Sequence, residues 1–304
     1  MPTDLSGVVP PVVTPFDAAG DLREPALREE LRYHIEAGVN GISVCGSTGE
    51  GNALSVGEHE RVYEIAVDEA GGEVPIVAGV IATSAREAVR KASRAKDAGC
   101  DYLMVTPPYY QEPTEDGLVE FFATIGREVG LPILIYDVIE KVDVTDQVAA
   151  RMVDEVPELY GIKQSGGDMH GLANMISTVG DDLVIMSALD DLLYPGFKLG
   201  ADGSIAGTNG MIPRISVELW EAVQAGDDER ALAIHEATLP LARATIWGYG
   251  VNFPGGVKAA VDLLGRDPGH PRLPIVEPDP DQRQRIADAI DFMHDQGIHE
   301  TLEA

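Results

Sequence analysis

Short apolar runs alternate along the chain with longer segments in which apolar residues recur at helical spacing. The runs predict strands at residues 8–13, 41–45, 74–78, 102–106, 133–136, 160–163, 183–187 and 203–206. The longer segments predict helices near residues 24–37, 56–70, 84–98, 115–129, 145–155, 169–179, 192–199 and 213–225. The strands are continuously apolar rather than alternating, which indicates a parallel sheet buried on both faces.

The junctions between helix and strand repeat. Gly38, Gly99 and Gly200 each follow a predicted helix, and Asn or Asp two residues later leads into the next strand. Glycine can end a helix in the left-handed conformation, so these junctions are expected to be αβ loops at one end of the sheet. Eight such units favour a closed (β/α)8 TIM barrel, of class α/β, over an open doubly wound sheet. No Gly-x-Gly-x-x-Gly follows the first strand, which argues against dinucleotide binding.

Beyond the eighth unit the strands stop. Residues 228–245, 253–265 and 279–296 are predicted to be helical and are separated by stretches rich in Gly and Pro. The chain is therefore expected to comprise a barrel catalytic domain at residues 1–226 and a C-terminal helical region at 227–304, which covers barrel helices or a subunit interface.

The composition is strongly acidic. Lys and Arg number 22 against 51 Asp and Glu, for a net charge of −29 over 304 residues. Such a surface repels phosphate backbones and anionic membranes, so nucleic acid and membrane partners are excluded. Only six basic residues are lysine, and high acid with scarce lysine is typical of halophilic proteins, in which counter-ions screen self-repulsion. No apolar run is long enough to span a membrane.

The two cysteines and residues 1–7 indicate the cellular compartment of the protein. Cys45 and Cys100 lie in separate apolar segments and are interpreted as buried free thiols rather than a disulfide. Residues 1–7 lack the basic and apolar pattern of a secretory signal. We therefore expect a cytoplasmic protein.

The sixth strand ends in Gly161-Ile162-Lys163, the strongest chemical signal in the chain. Catalytic groups of a barrel cluster at the carboxyl ends of its strands, so Lys163 is expected to point into the barrel or its mouth. Burying an ammonium there is costly. A neutral amine in this position could form a Schiff base with a carbonyl substrate. The alternative is a lysine paired with a barrel carboxylate.

Other strand ends carry hydroxyl groups. Ser47 and Thr48, here called the hydroxyl pair, lie between glycines after the second strand and either cradle a carboxylate or cap an ordinary turn. Tyr136 ends the fifth strand and could shuttle a proton or have a structural role. Tyr109 and Tyr110 follow the fourth strand, and one of them must be exposed or meet a partner. No cluster has metal-ligand spacing, so no metal is expected.

Together these motifs closely resemble the dihydrodipicolinate synthase / N-acetylneuraminate lyase family. The resemblance rests on Gly46-Ser47-Thr48-Gly49-Glu50, Pro108-Tyr109-Tyr110, Tyr136 and Gly161-Ile162-Lys163, and it extends over nearly the whole chain from Val12-Val13-Thr14-Pro15-Phe16. It implies a class I lyase or aldolase that forms an imine with pyruvate or another 2-oxo acid and needs no other cofactor. It also implies a homotetramer built as a dimer of dimers.

The resemblance implies a role for each matching residue. Lys163 matches the imine-forming lysine, and Tyr136 matches the tyrosine that moves protons at the imine and at the new C–C bond. The hydroxyl pair matches the contacts to the carboxylate of the 2-oxo acid and part of a proton relay. Tyr110 matches the tyrosine that completes the relay, often across a subunit interface. Ile205 and Gly207 match positions that line the pocket.

One departure from the family pattern concerns the second substrate. Where the synthase branch has Asn-Val-Pro-x-Arg after the tyrosine, this chain has Asp137-Val138-Ile139-Glu140-Lys141. Lys141 lacks the planar fork with which arginine grips a carboxylate. The acidic loop suits a hydroxyl-rich aldehyde better than a second carboxylate, so a 2-keto-3-deoxy sugar-acid aldolase is at least as well supported as the synthase.

Several alternatives remain open at the level of sequence. Within the same chemistry they are a 4-hydroxy-tetrahydrodipicolinate synthase of lysine biosynthesis and a 2-keto-3-deoxy sugar-acid dehydratase. Outside it they are a phosphate-binding barrel isomerase, anchored by the glycines after the eighth strand, and a non-catalytic sensor of 2-oxo acids.

Overall fold

The computed structural model describes residues 5–166, 168–247 and 253–300. Four of the seven N-terminal residues judged to lack a secretory signal lie outside this description. So do residues 248–252 and 301–304 of the expected C-terminal region. No helix in the described part of the chain is long and apolar enough to cross a membrane.

Eight parallel strands form the sheet, as the apolar runs predict. They are β1 (Gly7–Val8), β2 (Ile42–Val44), β3 (Ile76–Val80), β4 (Tyr102–Val105), β5 (Ile133–Asp137), β6 (Leu159–Gln164), β7 (Val184–Ser187) and β8 (Gly203–Ser204). The ladder runs β1-β8-β7-β6-β5-β4-β3-β2. Beyond β1, Pro11 bridges Ser43 of β2 in parallel, and the Val12 N–H donates to the Ser43 carbonyl at 2.9 Å. These contacts close the sheet into the expected barrel.

The first and the eighth strands end well before the apolar runs that predict them do. The first was expected over residues 8–13, but only Gly7–Val8 forms a continuous ladder. Pro10 and Pro11 have no N–H to donate, so the remainder meets β2 through isolated contacts. The eighth was expected to reach residue 206, but it ends at Ser204, and a short helix begins at Gly207.

The helices alternate with the strands as predicted. They are α1 (Glu24–Glu36), α2 (Val56–Ala70), α3 (Ala85–Ala98), α4 (Glu115–Val129), α5 (Asp146–Glu155), α6 (Met169–Val179), α7 (Leu193–Leu199), the short α8 (Gly207–Met211) and α9 (Pro213–Ala225). Ser55, Thr114 and Thr145 accept backbone N–H groups at the starts of α2, α4 and α5. Gly38 and Gly99 have φ of 80° and 94°, which confirms the predicted left-handed junctions.

Side chains of the strands divide between the barrel interior and the helical layer. Leu134 and Tyr136 of β5 pack in the interior cluster with Met186 and Ile205. Ile135, which lies between Leu134 and Tyr136, packs in the outer cluster with residues of the helices. This alternation determines which residues near the strand ends face the lumen.

The C-terminal region is helical, with α10 (Asp228–Ala242), α11 (Phe253–Leu263) and α12 (Pro280–Asp295). Helix α10 was expected to reach residue 245 but ends at Ala242, where Arg243–Trp247 continues as a π-helical turn. Apolar side chains of α10 and α12 share one buried cluster with Ile215 and Leu219 of α9. The region is thus packed onto the barrel helices.

Candidate active site

Tyr136 and Lys163 face each other inside the mouth of the barrel. They are direct register partners on β5 and β6, and each is 5 % exposed. The Lys163 Nζ lies 3.7 Å from the centroid of the Tyr136 ring. The structure therefore brings together the two residues that the sequence singles out most strongly.

The alternative interpretation of Lys163 is that it forms a structural ion pair with a carboxylate of the barrel. The ion pairs of the described residues test this interpretation. Among the described residues, lysine ion pairs form at Lys91, Lys198 and Lys258, but not at Lys163. A buried ammonium without an ion pair is expensive, because burial removes its hydration and nothing ionic replaces it.

Ser47 of the hydroxyl pair lies beside the tyrosine. The Tyr136 hydroxyl donates a hydrogen bond to the Ser47 Oγ at 3.2 Å. Ser47 is partly buried, and Thr48 is 3 % exposed. The turn that carries them follows β2 and continues into a short 3-10 helix at Gly51–Ala53, which the sequence did not indicate. Tyr136, Lys163 and Ser47 together form one cluster with a hydroxyl relay next to an amine.

The tyrosines after β4 lie apart from this cluster. Tyr109 is 43 % exposed and Tyr110 is 78 % exposed. The sequence requires at least one of them to be exposed or to meet a partner, and both are exposed in the single chain. A side chain as open as Tyr110 does not complete the relay of its own chain. Its role across a subunit interface stays a prediction.

The segment after β8 contains the expected small residues, and a carboxylate from the segment after β7 holds Thr208 next to them. Ile205 is fully buried, and a side chain at Gly207 would meet Ile246 and Phe253 at 2.9 Å. Asp190 Oδ1 accepts hydrogen bonds from both the backbone N–H, at 2.6 Å, and the hydroxyl, at 2.9 Å, of Thr208.

Asp190 also lies within the electrostatic reach of the amine. Burial raises the pKa of Asp190 to about 6, opposed by the Thr208 hydrogen bonds and by the charge of Lys163. In the sequence, only the position of Asp190 shortly after β7 indicates that it belongs to the site. Its partner Thr208 is 18 residues away along the chain, so no local pattern reveals the contact.

The loop after β5 is anchored by Asp137, the last residue of that strand. Asp137 is 4 % exposed and accepts a hydrogen bond from the Gln164 amide at 3.2 Å. Burial raises the pKa of Asp137 to about 7, opposed by a backbone hydrogen bond from Val144 at the far end of the loop. Lys141, near the middle of the loop, is exposed.

Across the described ranges, no group of three or more His, Cys, Asp or Glu residues is arranged to hold a metal ion.

Comparisons with known proteins agree with this geometry. Residues 4–292 match the model of the dihydrodipicolinate synthetase family. A 4-hydroxy-tetrahydrodipicolinate synthase of Methanopyrus kandleri is 37% identical over 285 residues, covering 93% of this chain and 94% of that protein. The dihydrodipicolinate synthase of Aquifex aeolicus superimposes with a TM-score of 0.88 at 31% identity, covering 94% of this chain and 97% of the other.

A second similar structure was solved with a bound ligand. It is a prophage protein of the dihydrodipicolinic acid synthase family from E. coli K12, in complex with pyruvate. It has a TM-score of 0.91 and 28% identity, and the match covers 96% of this chain and 99% of that one.

Proposed function

We propose, from the premise that this chain belongs to the dihydrodipicolinate synthetase family, that Lys163 forms an imine with pyruvate or a related 2-oxo acid. The family consists of class I lyases, so the reaction class follows from membership. The observation that carries the assignment to Lys163 is its burial beside Tyr136 with no ion pair among the described residues. The family relative solved with pyruvate supports the choice of 2-oxo acid.

The chemistry follows from the groups present. The neutral Lys163 amine attacks C2 of the oxo acid. The resulting carbinolamine takes up a proton at its hydroxyl group and loses water, which leaves a protonated imine. The imine draws electrons from C3, which loses a proton to give an enamine. The enamine attacks the carbonyl carbon of an aldehyde, whose oxygen takes up a proton. Water then adds to C2 and releases the product and the free amine. Run backwards, the same steps cleave a C–C bond.

The hydroxyl groups supply the protons. Tyr136 is the acid and base at the imine and at the new C–C bond, and its bond to Ser47 connects it to the relay. Ser47 and Thr48 hold the carboxylate of the oxo acid. Tyr110 of a neighbouring subunit completes the relay.

Trapping with borohydride tests the imine. Incubation with pyruvate and borohydride should add one reduced pyruvate to the intact chain, as measured by mass spectrometry. Lys163→Ala should remain unmodified, and Lys198→Met, which changes an exposed lysine on α7, should be modified like the wild type. An unmodified wild-type chain, or an adduct that persists in Lys163→Ala, would contradict the proposal.

For the second substrate, we propose a hydroxyl-rich aldehyde, so that the protein acts as a 2-keto-3-deoxy sugar-acid aldolase. The support is the loop after β5, in which Lys141 stands among Glu140 and Asp143. The names of the curated relatives support the other candidate, a 4-hydroxy-tetrahydrodipicolinate synthase. Parallel assays with aspartate semialdehyde and with 2-keto-3-deoxygluconate distinguish them. Release of water rather than an aldehyde from 2-keto-3-deoxygluconate would identify a dehydratase, and imine trapping without any turnover would identify a sensor.

We further propose a homotetramer working in a salt-rich cytoplasm, with Ile205 and Gly207 lining the pocket. In this proposal residues 1–226 form the catalytic domain and 227–304 the helical region that supports it. The packing of α10 and α12 on α9 supports that division. The net charge of −29 supports the habitat. Light scattering with size exclusion measures the assembly directly.

A further inference from the structure

Two residues with left-handed backbone bracket the hydroxyl pair. Cys45 has φ of 57° and Glu50 has φ of 51°, and neither is glycine. Residues with side chains occupy this region rarely, and they persist there where surrounding contacts over-determine the conformation. Glu50 is also only 1 % exposed. Contacts from outside the turn must therefore impose its shape.

Those contacts converge on Glu50. Its Oε1 lies 2.6 Å from the Nζ of Lys258, and both side chains are almost fully buried. Its Oε2 accepts a hydrogen bond from the backbone N–H of Arg272 at 2.8 Å. Lys258 belongs to α11, and it also donates to the His270 carbonyl at 2.7 Å. The C-terminal region thus reaches the turn that carries the hydroxyl pair.

The Lys258 ammonium also restrains Gly49, the residue of the turn that precedes Glu50. It donates to the backbone carbonyl of Thr14 at 2.8 Å, and the Thr14 hydroxyl donates to the Gly49 carbonyl at 2.6 Å. A side chain at Gly49 would meet the Val12 carbonyl at 3.0 Å, so the backbone is closely confined there. One ammonium therefore fixes Gly49 through Thr14 and Glu50 directly.

Stability alone does not account for this arrangement. Desolvation of two buried charges largely offsets their attraction, so a buried ion pair is weak evidence for stabilisation. Burial lowers the pKa of Lys258, and the charge of Glu50 opposes that effect. The pair joins the C-terminal region to the backbone that follows Thr48. Its main consequence is geometric.

We infer that Glu50 and Lys258 are positioning residues that hold the hydroxyl pair at the distance its proton relay requires. The inference rests on the proposed function. Their influence passes through the turn to the contact between the Ser47 Oγ and the Tyr136 hydroxyl, which are 3.2 Å apart. Proton transfer needs hydrogen-bond distance, and it is lost with small displacements. The Lys163 amine itself attacks C2, and the turn contributes to that step only through its hold on the carboxylate of the oxo acid, which saturating pyruvate compensates.

Substitution of Glu50 or Lys258 should therefore slow proton removal from C3 but leave imine formation at Lys163 intact. Exchange of the C3 protons of pyruvate for deuterium in D2O reports enamine formation and needs no aldehyde. Glu50→Gln and Lys258→Met should each slow this exchange at saturating pyruvate by about tenfold or more, because a misplacement near 1 Å can cost ~100-fold. At the same saturating pyruvate, borohydride should still trap wild-type amounts of pyruvate on Lys163 once trapping has run to completion.

Two further variants keep the test decisive if a lone buried charge prevents folding. Glu50→Gln/Lys258→Met removes both charges together, and Thr14→Val removes only the hydroxyl that holds Gly49. Both should fold, judged by circular dichroism and melting, and both should slow exchange while trapping persists. Lys198→Met, whose partner Asp228 is exposed, is the matched control and should exchange like the wild type.

The outcomes separate this inference from the proposed function. A wild-type chain that traps no pyruvate refutes the proposed function and the inference with it. A wild-type chain that traps and exchanges, with folded variants that exchange at the wild-type rate, refutes the inference alone. Equal loss of trapping and exchange in folded variants also refutes it, because the pair would then support the whole site rather than the relay.

Discussion

The ammonium of Lys163 lies 3.7 Å above the centre of the Tyr136 ring, and the two residues are direct partners in the ladder between β5 and β6. The negative face of an aromatic ring attracts a cation, with about 1–2 kcal/mol in a desolvated site. The ring can therefore hold the resting lysine without a carboxylate.

Tyr136→Phe should separate the two functions of this tyrosine. The ring stays beneath Lys163, but the hydroxyl that donates to Ser47 is lost. We expect kcat to fall by roughly 100- to 10,000-fold, because acid and base catalysis is removed. Borohydride trapping should continue more slowly, as followed by mass spectrometry over time. Tyr109→Phe, at an exposed tyrosine, is the control. Unchanged deuterium exchange in Tyr136→Phe would show that another group moves the proton.

Lys141→Arg should shift the choice of aldehyde. Arginine offers a planar fork that binds a carboxylate through two hydrogen bonds, which lysine cannot do. Since Lys141 is exposed, the longer side chain needs no repacking. We expect kcat/KM for aspartate semialdehyde to rise by about tenfold relative to that for a neutral hydroxy-aldehyde. The KM for pyruvate should not change. An unaltered ratio would place Lys141 outside the aldehyde site.

Asp190 should make stability depend on pH. Its folded-state pKa of about 6 lies above its ordinary value of 3.8, so the folded protein binds this proton more tightly than the unfolded chain. The contribution is fully present below pH 3.8 and is lost as the pH rises through about 6. By linkage the loss is about 3 kcal/mol.

Asp190→Asn checks this titration. The amide oxygen still accepts the Thr208 hydrogen bonds but never ionises. Urea unfolding should show a variant more stable than the wild type at pH 8, with the difference shrinking to nothing near pH 4. Asp228→Asn, at an exposed carboxylate, should show no such trend. A constant difference across the whole pH range would show that the carboxylate does not titrate there.

Tyr110→Phe should lower kcat without lowering stability. The side chain is 78 % exposed, so its hydroxyl contributes little to folding, and the melting temperature should stay within error. If the hydroxyl completes the relay of a neighbouring subunit, kcat falls by roughly tenfold or more. Activity of the wild type should also fall on dilution below the concentration at which the oligomer dissociates. Full activity in a monomeric wild-type fraction would contradict the role across the interface.

Salt should stabilise the fold or the oligomer. At a net charge of −29, self-repulsion strains the compact state, and it is screened when the Debye length shrinks from about 10 Å at 0.1 M salt to about 3 Å at 1 M. The melting temperature should rise from low salt to molar KCl, and NaCl should act alike at equal ionic strength. An unchanged melting temperature would contradict adaptation to salt.

The barrel and its reactive lysine could be predicted from the sequence because both leave local signals. A strand buried on two faces must be apolar throughout, so the positions of the eight strands are visible in the order of residues. Lys163 is conspicuous because it ends such a run. Glycines with φ above 80°, such as Gly99 and Gly200, mark the loops for an equally local reason: residues with side chains rarely adopt that conformation.

The tertiary structure alone decided how these elements act on one another. The Thr208 bonds of Asp190 and the short helix α8 depend on how β7 and β8 lie in the closed barrel. The bond from Lys258 to Thr14 spans 244 residues, and no periodicity records it. Burial and turn chemistry act on neighbours in the chain, so sequence determines strands, helices and the identity of the amine. Hydrogen bonds between distant segments form only once the barrel closes, so folding determines the geometry of the relay.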